Sequence, residues 1–144
     1  MIVDANLLFS DEQAITVDAN STNVVDLGTT RDIARGQPMR FRCQVDTTLD
    51  SSGEAATLGV KLVTSAAANL GTPTTLFDSG TLTEATLVAG YVIADIVVPR
   101  TALRYLGVIY DNGTEAFTSG NISAFLTTDT PTPEADRVLG NTGL

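Results

Sequence analysis

Apolar and polar residues alternate most cleanly over residues 39–46. Met39, Phe41, Cys43 and Val45 fall on one side of an extended chain, and Arg40, Arg42, Gln44 and Asp46 on the other. Period two predicts a half-buried strand. Residues 55–64 repeat the pattern, with Leu58, Val60 and Leu62 on one face and Lys61 on the other. Ile122, Ala124 and Leu126 alternate with Ser123, Phe125 and Thr127 further on. Shorter strands are predicted at 13–17, 23–27 and 75–78, the last ended by Ser79-Gly80. The densest apolar stretch is 91–110, read as strands 92–98 and 104–110 joined by a short turn after Pro99. Val92, Ala94, Ile96 and Val98 would share one face of its first strand, and Ile93, Asp95 and Val97 the other. Neither strand has a clean polar face, so something must cover both faces. The loop after Asp111 is expected to be long, across 112–120, rather than a two-residue hairpin.

About eight short strands separated by turn signals, with no long helical period, predict an all-β domain: a jelly-roll β-sandwich. The predicted core is Phe41, Cys43, Val45, Leu58, Val60, Leu62, Ile96, Val98, Leu106, Val108 and Leu126. Residues 1–12 read as an N-terminal arm anchored by Leu7, Leu8 and Phe9. Residues 13–129 form the domain. Residues 130–144 make a Pro-rich C-terminal tail whose apolar anchors are Val138 and Leu139.

Composition narrows the function. The 144 residues are 43% hydrophobic, 6% aromatic and 17% charged, with no tryptophan. This suits one turn-rich domain. A formal net charge of −9 opposes phosphate backbones, so nucleic acid is not an expected partner. Nothing approaches the length of a membrane helix, and the start lacks a basic, then apolar leader. With no histidine there is no His-based triad and no imidazole ligand. The single cysteine, Cys43, sits in an apolar strand face and reads as a buried thiol rather than a nucleophile. No phosphate loop or calcium-loop spacing occurs. No catalytic, cofactor-binding or metal-binding residue is therefore assigned. Asp95 interrupts an apolar strand and is read as an edge charge or half of an interface ion pair. Arg100 and Arg104 bracket a turn, either as a clamp for an acidic partner surface or as two solvated arginines at a strand junction.

Several segments, in order, carry a resemblance. They are the opening Met1-Ile-Val-Asp-Ala-Asn-Leu-Leu-Phe-Ser-Asp-Glu-Gln-Ala, then Ser21-Thr-Asn-Val-Val-Asp-Leu-Gly and Leu87-Val-Ala-Gly-Tyr. Val98-Pro-Arg with Arg104-Tyr-Leu, and Ala116-Phe-Thr-Ser-Gly, complete the set. To about Asp129 the chain resembles the capsid cement (decoration) proteins of tailed bacteriophages, of the Bordetella-phage type. That resemblance implies a non-enzymatic jelly-roll protein on the outer surface of an icosahedral virion, made in the host cytoplasm. It implies the major capsid protein as partner, contacts between capsid subunits stabilised, and a homodimeric subunit; the uncovered second strand faces independently predict self-association, with a homodimer first and a trimer second. The rival class is a carbohydrate-binding or adhesion module, against which the absence of tryptophan and of a calcium loop argues. The expected self-association patch is Ile93, Val97, Tyr105, Ile109 and Phe125. The expected capsid contacts are Leu7, Leu8, Phe9, Arg100 and Arg104.

Overall fold

The computed structural model describes residues 3–30, 38–100 and 102–128. Nine strands follow in order: β1 (Leu8–Ala14), β2 (Ala19–Asn20), β3 (Val25–Asp26), β4 (Arg40–Asp50), β5 (Thr57–Ser65), β6 (Thr74–Thr83), β7 (Val92–Val97), β8 (Tyr105–Asn112) and β9 (Ser119–Thr127). A front sheet runs β1-β9-β4-β7. A back sheet runs β2-β8-β5-β6, and β3 also pairs with β8. All pairings are antiparallel. The pairs β5·β6, β4·β7, β2/β3·β8 and β1·β9 nest inside one another. One long hairpin wrapped into two sheets has this nesting, which is the jelly roll.

The inner faces are those that alternation predicts. Phe41, Cys43 and Val45 of β4 stand beside Leu126, Ala124 and Ile122 of β9. Leu58, Val60 and Leu62 face them from the back sheet with Leu106, Val108 and Tyr110. Every predicted core residue is buried except Ile96, which is half-buried against the core. One polar contact crosses the interior: the Tyr110 hydroxyl of β8 donates to Ser10 Oγ of β1 at 2.8 Å. Burial raises the Tyr110 phenol well above its usual range and pushes the Cys43 thiol up strongly too, so Cys43 is a packing residue.

Four expectations are corrected. First, the arm expected over residues 1–12 is part of the sandwich from Leu8 onward. Residues 8–14 form β1, and Phe9 is fully buried, edge-on to Phe41 at 6.0 Å. The strand escaped period-two reading because its register shifts twice, with Glu12 at φ 45. Second, the two strands of 91–110 are not a pair. β7 is an edge of the front sheet and β8 is central in the back sheet. The turn between them carries the chain from one sheet to the other.

Third, Ser79-Gly80 does not end β6. Gly80 takes φ +69 inside the strand, and the Ser79 hydroxyl accepts from Val60 N at 2.9 Å, so the ladder continues past an irregularity. Fourth, a register shift in β7 opposite Cys43 and Gln44 reverses the faces at its start. Ile93 packs towards the core and Val92 is exposed. The long loop expected after Asp111 is observed, because β8 and β9 belong to different sheets. The tail with Val138 and Leu139 lies outside the described residues.

Candidate interaction surface

The outer face of the front sheet holds a ladder of side chains along β4. Asp95 of β7 stands opposite Arg42. Its Oδ1 accepts from Arg40 Nε at 2.8 Å and lies 2.7 Å from Arg40 Nη2, and its Oδ2 accepts from Arg42 Nη1 at 3.1 Å. Arg40 Nη2 also donates to the Asp95 carbonyl at 3.0 Å. Arg42 Nε reaches Gln44 Oε1 at 3.2 Å, and Gln44 Nε2 reaches Asp46 Oδ1 at 3.4 Å. The Ser123 hydroxyl donates to Asp46 Oδ2 and accepts from Glu12 N at 3.0 Å. Asp95 is thus half of a pair, as one sequence reading had it, but the partners are this chain's own arginines rather than another subunit's.

Phe125 lies on this same outer face yet is only 5% exposed. It stands between Arg42 of β4 and Leu8 of β1, and it lines a shallow groove with Val3, Ala5, Leu8 and Gln44. The N-terminal segment is therefore the cover for Phe125. On the β7 side, Val92 (37% exposed) and Val97 (45%) have no such cover.

The outer face of the back sheet is different. Val63 is buried there opposite Gly107, over which the loop after β5 lays Leu70. A Cβ on Gly107 would lie 2.5 Å from Leu70 Cδ1. Tyr105 is half-buried, with the Arg104 guanidinium 4.9 Å above its ring. Ile109 is half-buried next to the Lys61–Asp111 pair, 3.0 Å apart.

The five residues expected to self-associate are accordingly not one patch. Val97 and Phe125 lie on the front outer face, Tyr105 and Ile109 on the back outer face, and Ile93 turns inward. Adjacent strands of a chain share a face only if they share a sheet, and β7 and β8 do not. Among the expected capsid contacts, Phe9 is core and Leu7 packs against the core, while Leu8 is half-buried and lines the groove with Val3 and Ala5. Arg100 is exposed. Arg104 is held by Asp26 through two hydrogen bonds of 2.9 and 3.0 Å. That guanidinium, with help from the Gly28 N–H, lowers the Asp26 carboxyl to about 2. The clamp expected of Arg104 is thus already closed on its own chain. Val92, Arg40 and Arg42 were not singled out from sequence. The outward alternation of Arg40 and Arg42 was visible, but their meeting with Asp95 was not.

Among the described residues no group of three or more His, Cys, Asp or Glu is placed to hold a metal ion, and no helix is long and apolar enough to cross a membrane. Fold and surface together define a jelly-roll β-sandwich whose chemistry lies on a sheet face. The chain belongs to the Bbp16 family, whose sequence model matches residues 9–126. That span opens at Phe9 in β1 and closes at Leu126 in β9, so it covers the whole sandwich. The family name points to a Bordetella phage protein, which places the chain among phage proteins. No curated protein matches it.

Proposed function

We propose that this protein is a non-enzymatic decoration protein of a phage virion. It binds the outer surface of the icosahedral shell and stabilises contacts between major capsid protein subunits. The observation that carries this reading is the family match across the entire sandwich, joined to the sequence resemblance to phage cement proteins. The structure is compatible with it. Cys43 and Tyr110 are core residues, and the carboxylates at Asp95, Asp26 and Asp111 are paired with Arg or Lys. A virion structural protein needs a rigid frame and an exposed surface, and this chain supplies both. We take the assembled subunit to be a homodimer, as the resemblance implies. Its contact is not the five-residue patch read from sequence, because those residues lie on opposite sides.

The test is cosedimentation of the purified protein with expanded empty shells of the cognate phage. Saturable binding, together with a higher temperature of shell disruption, is the expected result. Shells that pellet without the protein would overturn the reading. Light scattering of the free protein reports whether it is a dimer.

A further inference from the structure

Within the decoration reading just proposed, the structure also says which face docks and onto what chemistry. Of five exposed large apolar residues among those described, three (Val3, Val92 and Val97) lie on the front sheet's outer face. The back sheet's outer face carries none of the five, and its apolar centre is already covered by Leu70. Around Arg40 and Arg42 the β7 half of the front face is also locally basic in a chain of net charge −9, the ladder's second acid, Asp46, lying beyond Gln44 and held by Ser123. There one carboxylate, Asp95, serves two guanidiniums, Arg40 and Arg42. Val97 stands opposite Arg40, and Val92 stands opposite Gln44, whose amide bonds Arg42. Two half-buried arginines sharing one acid leave donors unmatched in charge, and flanking apolar groups lower the local dielectric and strengthen their pull.

We infer that the β7 side of the front sheet, centred on Arg40, Arg42, Val92 and Val97, docks a capsid-protein segment that presents a carboxylate between apolar side chains. A second copy of this chain is the poorer occupant. A two-fold contact places a patch against itself, and here it would set one basic cluster against another. The Arg40–Asp95 link has a further effect. By pairing alternation from Val98 N to Met39 O, the Asp95 carbonyl points to the open edge of β7, and Arg40 Nη2 occupies it. The edge is thereby guarded against strand addition, which leaves the face as the binding element.

Val92 offers a clean test because its neighbour Gln44 is neutral and its side chain makes no ion pair that a new charge would break. Val92→Asp and Val92→Lys are compared with the unaltered chain for binding to expanded shells, after circular dichroism and thermal unfolding confirm that both fold. Val17→Asp and Val17→Lys, at an exposed turn residue between β1 and β2, serve as controls. The expected result is that Val92→Asp loses roughly tenfold or more in affinity, Val92→Lys loses clearly less, and both Val17 variants bind unchanged. Val97→Ala should lose a few-fold through lost apolar contact alone. Equal binding of all Val92 and Val97 variants would overturn the docking face while leaving the decoration reading intact. A loss for Val92→Lys as large as for Val92→Asp would overturn the acidic partner. Failure of the unaltered chain to bind would remove the decoration reading, and this inference with it.

Discussion

The sharpest test of how this sandwich hides its second apolar face is a cycle between Gly107 and Leu70. Gly107 sits in the middle of β8, where a glycine ordinarily weakens a strand by about 0.5–1 kcal/mol relative to alanine. Its Cβ position is taken: a methyl group there would lie 2.5 Å from Leu70 Cδ1 and 2.9 Å from Cδ2. Gly107→Ala must therefore unseat Leu70, which is 4% exposed, and the expected cost is about 1–3 kcal/mol of overpacking. Leu70→Ala alone should cost about 2 kcal/mol, at the low end for buried leucine because a loop can settle. In the Leu70→Ala background the clash is gone, so Gly107→Ala should become neutral or stabilise by about 0.5 kcal/mol. The coupling is then about 2 kcal/mol, well outside the additivity expected of independent sites. Urea unfolding followed by circular dichroism, with a shared slope for the four proteins, measures it. If Gly107→Ala has the same effect in both backgrounds, Leu70 is not the lid of the back sheet and the account of its outer face is wrong.

Other expectations follow from the same geometry. Phe41→Ala should cost about 3–5 kcal/mol, since the ring is fully buried against Phe9 and Phe77, and a change under 1 kcal/mol in chemical unfolding would contradict that packing. Tyr110→Phe removes a hydroxyl bridge between the two sheets and should cost about 1 kcal/mol, whereas an unchanged midpoint would mean that water replaces the bond fully. A chain beginning at Gln13 should fail to fold by far-UV circular dichroism, because it lacks most of β1 and the Phe9 ring; a native-like melt would restore the view of residues 1–12 as an arm. Asp26 is lowered from 3.8 to about 2, so its pairing with Arg104 stabilises the fold above about 3.8 and is lost as pH falls through about 2. Any stability gap between the unaltered chain and Asp26→Asn should accordingly shrink between pH 4 and pH 2, and a gap that widens would reverse the sign of this argument.

Much of the fold was legible from spacing alone. Residues 39–46 and 57–62 alternate without interruption, and a strand with one apolar face lies with that face inward. Their inner residues, the all-β class and the packing role of Cys43 followed from that. Spacing failed wherever the backbone departs from period two. The register shifts in β1 concealed a strand behind Asp11 and Glu12, and the shift in β7 exchanged the faces of Val92 and Ile93.

Tertiary structure alone decided the pairing of strands. Residues 91–110 announced two apolar faces, but adjacency in sequence says nothing about which sheet a strand joins. Once β7 and β8 parted, their second faces met different fates. Leu70, distant in sequence from Gly107, covers the back sheet, while Arg40 and Arg42 close on Asp95 from over fifty residues away. Such contacts depend on loop closure across the whole chain, and local periodicity carries no record of it. Val92 was an ordinary strand residue in the sequence. Its exposure beside an arginine pair exists only because the edge of one sheet runs past it.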